Sequence, residues 1–179
     1  MVLYDLPGGC SLRLLEETDA DELFALVHRN RDHLLPWMPW LQGTRDPAGT
    51  LEFIRTTRRQ AAGNDGIQTA IVEDGAIAGV VGFHRVDWAN RVTSVGYWLS
   101  ADRQGRGTMT EAVRMLVDVA VGAWALNRVE IQAAVDNRRS RAIPERLGFR
   151  EEGVRRQAER HGDRYLDLVV YAMLAADWP

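Results

Sequence analysis

The chain contains no lysine: all 22 of its basic side chains are arginine, set against 25 acidic ones for a formal net charge of −3. Lysine is ordinarily among the commonest residues. Arginine can fill most of its surface roles, so we attribute the bias to genome composition. The absence nonetheless excludes a Walker A phosphate loop, which requires Gly-Lys-Ser/Thr. Cysteine is nearly absent too. Cys10 stands alone, so neither an internal disulfide nor a Cys-rich zinc site can form, and nothing points outside the cytoplasm. No uninterrupted apolar run approaches the ~18 residues of a membrane span. The first basic residue is Arg13, so the start lacks the positive charge of a signal peptide.

What is present is ordinary for a globular protein. A chain of 179 residues, 46% hydrophobic and 26% charged, is expected to form one domain over 1–179 with a substantial core. There is no repeat, low-complexity tract or linker. Charge is unevenly divided: residues 1–102 carry 9 arginines against 14 acids, and residues 103–179 carry 13 against 11. A weakly basic second half suits a phosphorylated small molecule and is too weak for a nucleic-acid surface.

Patterning predicts an α/β chain. A short strand is expected over Ser11–Leu15, then a helix through Leu23, Phe24 and Val27 with Thr18 or Asp19 as its N-cap. Two prolines in the segment from Leu34 to Leu41 preclude a regular helix interior. A second helix is predicted from Pro47 to about Ala61, with a turn at Asn64-Asp65-Gly66. Strands Thr69–Val72 and Ala76–Phe83 flank the hairpin signal Glu73-Asp74-Gly75. A third strand follows over Arg91–Leu99. Val113, Leu116, Val117 and Ala120 mark a helix over Thr108–Gly122 by their i, i+3, i+4, i+7 spacing. The remainder reads as a strand over Val129–Val135, a short helix over Asn137–Arg146 and a final strand over Tyr165–Met173. This order gives a mixed sheet, antiparallel first and partly parallel later.

The most informative stretch runs from Gly96 to Thr108, where a strand enters a loop containing Gly105 and Gly107 and a helix follows at once. Glycines let the backbone turn with its N–H groups exposed, and a helix start adds partial positive charge, so the junction forms an anion cradle. The dinucleotide fingerprint fails, because position 110 is Thr where a third glycine is required. A tight structural turn would use the same glycines.

Gln104-Gly105-Arg106-Gly107 resembles the pyrophosphate loop of the GNAT superfamily of acetyl-CoA-dependent N-acetyltransferases, usually Arg/Gln-x-x-Gly-x-Gly/Ala. Met109 departs at the last position, as it often does in the RimJ/RimL-type branch. Asn137-Arg138-Arg139-Ser140, Leu147-Gly148-Phe149 and Glu152-Gly153 resemble that branch's Asn-x-x-Ser…Leu-Gly-Phe…Glu-Gly signature, and Trp37-Met38-Pro39-Trp40 resembles its Trp-x-Pro-Trp. The resemblance covers essentially the whole chain. It implies a single α/β (α+β) domain whose central, mostly antiparallel twisted sheet is flanked by helices.

Acetyl transfer from a thioester requires a neutral amine, a positioned carbonyl, stabilisation of an oxyanion and a proton for the departing thiolate. The resemblance implies acetyl-CoA as co-substrate and no metal. It puts the pyrophosphate on the backbone of Gln104, Gly105, Arg106, Gly107, Thr108 and Met109, and the pantetheine along Trp98, Leu99 and Ser100. Read from spacing alone, Asn137 is an N-cap and Ser140 a surface hydroxyl on the same helical face. By resemblance Asn137 contacts coenzyme A, and Ser140 is the hydroxyl that assists thiolate departure. Pro144 removes the N–H that would bond the Ser140 carbonyl, so the helix either begins near Ser140 or kinks.

For the base, Gln157-Ala158-Glu159 is similar to a stretch of the ribosomal-protein-serine acetyltransferases whose glutamate is the proposed base, so Glu159 is the candidate. His84, Asp87 and Glu152 compete with it, and a solvated glutamate at the tip of an exposed hairpin is the plainer alternative. His161 and His84 read as surface or structural residues. Trp37, Met38 and Trp40 are expected to wall the acceptor side, core packing being the alternative for each.

The acceptor expected from these readings is an α-amine, of a protein or peptide N-terminus or an amino-acid-like molecule, attacking directly in a ternary complex. An α-amine has a pKa of about 7.7–8.0, against about 10.4 for lysine, and asks less of a carboxylate base. Three rivals remain: an antibiotic, polyamine or toxin amine as acceptor, a non-catalytic acetyl-CoA sensor, and an ATP-binding protein. A cytoplasmic location is expected. Relatives are often homodimers, and six tryptophans leave room for an aromatic interface.

Overall fold

A computed structural model describes residues 2–44 and 46–179. Eight strands form one sheet: β1 (Val2–Leu6), β2 (Cys10–Leu14), β3 (Ile67–Glu73), β4 (Ala76–Asp87), β5 (Val92–Leu99), β6 (Arg128–Ala134), β7 (Arg150–His161) and β8 (Arg164–Leu174). Their order in the sheet is β1-β2-β3-β4-β5-β6-β8-β7. Every pairing is antiparallel except β5 with β6. The helices are α1 (Ala20–Arg29), α2 (Arg31–Leu34), α3 (Pro47–Ala62), α4 (Thr108–Asp118) and α5 (Arg138–Arg146). Among the described residues no helix is long and apolar enough to cross a membrane.

The period of two along the strands divides the core into two layers. Ile71, Val81, Phe83 and Val95 pack against Val113, Leu116 and Val117 of α4. Their neighbours Ala70 and Val80 point the other way, onto Leu23 and Val27 of α1 and Ile54 of α3. On β5 the same alternation sends Tyr97 to the α4 layer and Trp98 to the α1/α3 layer. Both faces of β4 are therefore covered, and seven consecutive residues of it, Ile77–Phe83, are buried.

Several expectations change at their edges. The sequence pattern predicts no strand over Val2–Leu6, where β1 forms. Asp19 precedes α1 but does not cap it; its carboxylate turns back to the Arg13 guanidinium at 2.6 and 2.8 Å and to the Glu16 amide at 2.8 Å. α4 ends at Asp118 and passes into a π-helical turn, Val119–Ala123. The proline-rich segment holds only a 3₁₀ turn, Pro39–Gln42.

Candidate active site

Parallel strands β5 and β6 pair only from Val92↔Arg128 to Val95↔Ile131. Beyond that point β5 stays with β4 as far as Leu99, and β6 stays with β8 as far as Ala134. The two strands thus splay, and the β5 edge over Gly96–Leu99 faces a gap instead of a neighbour. A cleft of about 600 Å³ opens there. Ser140, Asn137, Trp98, Glu159, Trp37, Met38 and Trp40 all line it.

Past the end of β5 the chain makes a 3₁₀ turn, Ala101–Arg103, and enters the glycine loop. Gly105 (φ 79°) and Gly107 (φ 85°) are both left-handed, a conformation that costs other residues roughly 1–2 kcal/mol. Gly107 is the N-cap of α4, and no side chain caps that helix. Its first amides therefore point outward at the positive end of the helix dipole. Thr108 and Met109 themselves are buried, Met109 in the core.

The loop is braced by side chains whose roles spacing could not reveal. The Gln104 amide donates towards His33 Nε2 at 2.7 Å and to the Leu99 carbonyl at 3.3 Å, and accepts from Arg139 at 3.0 Å. Its backbone N–H turns to the Ala101 carbonyl at 3.4 Å, so Gln104 braces the loop. Burial, reinforced by Arg139, lowers the pKa of His33 against a weaker pull from Leu99, consistent with a neutral ring whose Nε2 accepts. Arg103 and Arg106 both turn to Glu73 Oε1, at 3.2 and 2.9 Å, and Arg103 also meets Asp74. The loop's own guanidinium groups are thus neutralised by the β3–β4 hairpin. Arg138, Arg139 and Arg146 have no carboxylate partner among the described residues, and Arg146 reaches Thr110 on α4.

Helix α5 begins at Arg138, capped by Asn137, whose Oδ1 accepts from the Ser140 amide at 3.2 Å. The helix runs through Pro144 without restarting at Ser140. The Ser140 carbonyl, which Pro144 cannot bond, instead accepts the Tyr97 hydroxyl at 2.9 Å. Ser140 Oγ donates back to that phenol oxygen at 3.4 Å. Burial holds the Tyr97 pKa well above the ordinary tyrosine value, partly offset by Ser140, so the phenol remains a donor. The proline that unsettles the placement of Ser140 in the sequence is thus answered by a residue on a different element.

The acceptor end is aromatic, with Phe53 of α3 facing the same cleft as Trp37 and Trp40. Trp40 is 44% exposed, so it forms a rim, not core. Among the rival bases, Asp87 binds Asn90 and Glu152 binds Arg128, and neither lines the cleft. His84 does line it. Its ring occupies the space above Gly96, where an added Cβ would sit 2.1 Å from Nε2. His84 is exposed to the cleft, and desolvation by the neighbouring protein lowers its pKa.

Residues 10–150 match the family model described as an acetyltransferase (GNAT) domain. The chain belongs to the GNAT acetyltransferase family. It is 37% identical over 169 residues to the putative ribosomal N-acetyltransferase YdaF of Bacillus subtilis, covering 94% of this chain and 92% of that one. RimL, the ribosomal L7/L12 α-N-protein acetyltransferase solved in complex with coenzyme A, superposes with a TM-score of 0.91 at 26% identity, over 95% of this chain and 96% of its own. The microcin C7 self-immunity acetyltransferase MccE, solved with acetyl-CoA and AMP, gives 0.88 at 29% identity, over 93% of each chain.

Within this acetyltransferase the cleft brings together Trp37, Met38, Trp40, Trp98, Asn137, Ser140 and Glu159. Leu99 and Ser100 are buried at the end of β5, and the loop from Gln104 to Met109 lies beyond the cleft lining. Sequence reasoning missed Tyr97, although it stands inside the stretch from Gly96 to Thr108. Of the two alternatives for His161, surface or structural, the structure favours the second. His161 is 5% exposed, with Nε2 2.5 Å from Glu159 Oε1.

Proposed function

We propose that this acetyltransferase moves the acetyl group of acetyl-CoA to the α-amine of a protein or peptide N-terminus or of an amino-acid-like molecule, by direct attack in a ternary complex. The observation that carries this reading is the single cleft. Its lining holds a hydroxyl donor, Ser140, whose neighbour Arg139 bonds Gln104 of the glycine loop, together with a carboxylate, Glu159, and the indoles of Trp37 and Trp40. Donor and acceptor can therefore meet without the enzyme first taking the acetyl group. The similarity to RimL and YdaF supports a protein N-terminus as acceptor.

The residues fit coenzyme A at two points. The uncapped start of α4, with its left-handed glycines, offers amides of Gly105 to Met109 to a pyrophosphate. The unpartnered β5 edge over Gly96–Leu99 offers backbone groups to the amides of a pantetheine arm. Arg139, which bonds Gln104, and Arg146, which bonds Thr110, have no acidic partner among the described residues and supply positive charge at this end. Acetyl-CoA supplies an activated thioester carbonyl.

The chain's own residues do the rest. Trp37, Trp40 and Phe53 cover the acceptor and exclude water from the reacting amine. Glu159 takes a proton from that amine as its nitrogen attacks. Ser140 Oγ, whose one proton rests on the Tyr97 oxygen across a long 3.4 Å bond, turns that proton to the sulfur as the thiolate departs. A thiolate has a conjugate acid of pKa about 8.5, so a weak donor suffices. The flat aromatic rim also supports a second reading, a small-molecule amine, in line with the similarity to the microcin immunity enzyme. Thiol release measured across short peptides, amino acids, aminoglycosides and polyamines separates the two. We expect peptides with free N-termini to turn over with the highest kcat/KM; turnover confined to aminoglycosides or polyamines overturns the first reading.

A further inference from the structure

Glu159 reaches the cleft only because β7 is irregular. Arg155 pairs with Leu168, yet Glu159 pairs with Leu166, so three residues of β7 stand opposite Asp167 alone. Without the two extra residues Glu159 would lie opposite Arg164, about 7 Å nearer the hairpin tip at the usual strand rise. The bulge draws it back to a position facing the same way as Leu168, which also lines the cleft. Gln157 takes up the distortion at φ 49°, and its amide donates to Asp167 Oδ1 at 2.7 Å. Such bulges commonly re-aim one side chain and are stable only when their strained backbone is held.

The carboxylate is then gripped from behind. His161, two residues on, is buried with 3% of its side chain exposed, while Glu159 keeps 36% open to the cleft. The imidazole Nε2 meets Glu159 Oε1 at 2.5 Å, which leaves Oε2 for an incoming amine. The hairpin tip that carries His161 packs on the segment after α2, where an added Cβ on Gly162 would lie 3.5 Å from Gln42. A second recess, lined by Arg31, Gln42, His161 and Arg164, lies behind it. The Glu159–His161 pair is thus the wall between this recess and the acceptor cleft.

We infer that His161 and the Asp167-clasped bulge are positioning residues for Glu159, which together present one carboxylate oxygen to the acceptor amine. This deepens the proposed function and rests on Glu159 being the base. His161→Leu and Asp167→Ala should each lower kcat about tenfold or more with little change in the KM for acetyl-CoA. His161→Gln and Asp167→Asn keep a donor and an acceptor respectively and should recover much of the loss. In the background of Glu159→Gln, His161→Leu should cost almost nothing further, because its effect passes through the missing carboxylate. Circular dichroism and thermal melts of each variant identify any that fail to fold, and His161→Gln then carries the comparison. Wild-type turnover by Glu159→Gln would remove the base reading itself. An impaired Glu159→Gln whose activity falls by a further tenfold with His161→Leu would instead overturn the positioning role alone.

Discussion

Gly107 and His33 show how single residues set the donor end. Gly107, at φ 85° on the threshold of α4, joins a turned loop to an uncapped helix start. Gly107→Ala should cost roughly 1–2 kcal/mol of stability from the left-handed backbone. It should also raise the KM for acetyl-CoA several-fold while kcat changes less, as steady-state kinetics would show. His33 holds Gln104 through a ring nitrogen that must be unprotonated to accept. Its pKa is lowered by burial and by Arg139, so the unfolded chain takes up the proton first as pH falls. The stability it contributes is complete above the unfolded value of about 6.5 and is lost as pH drops through the window below it. Chemical denaturation between pH 7.5 and pH 5 (about the range where histidine titrates) should show this loss in the wild type and a flatter profile in His33→Leu.

At the scale of elements, α5 is held to β5 through one rearranged backbone bond. Tyr97 supplies the hydrogen bond that Pro144 withholds from Ser140. Tyr97→Phe should therefore cost about 1–2 kcal/mol, the usual range for orphaning a partly buried carbonyl. Pro144→Ala restores a helical N–H for the same oxygen, so in that background Tyr97→Phe should cost less than half as much. Urea unfolding of the four proteins closes the cycle, and equal costs in both backgrounds would count against the substitution of one bond for the other. The elements themselves were legible wherever the signal was local. The apolar stripe of α4, the Glu73-Asp74-Gly75 hairpin and the cap at Asn137 all lie within a few residues of their cause. Strand β7 has ten exposed residues among its twelve and so carries no alternation to read. The burial of His161 depends on a segment more than a hundred residues earlier in the chain.

For the whole molecule, the cleft joins signatures that lie far apart in sequence. The glycine loop follows β5, Ser140 heads α5, Glu159 sits on the edge strand, and the tryptophan pair precedes α3. The sheet brings them together because β5 and β6 part after four paired positions. That parting carries no signal in composition or spacing. The charge asymmetry resolves in the same way. The basic second half includes guanidinium groups already neutralised by Glu73 and Asp74 and, on α5, Arg139 and Arg146, which have no acidic partner among the described residues. With no lysine in the chain, these α5 arginines and the α4 amides form the positive surface at the donor end. The central claim, acetyl transfer to an α-amine, is tested most directly with one lysine-containing peptide in two forms, N-terminus free and N-terminus blocked, assayed for acetyl-CoA-dependent thiol release. The account predicts turnover of the free form and none of the blocked form; equal turnover of both, or turnover of neither, would contradict it.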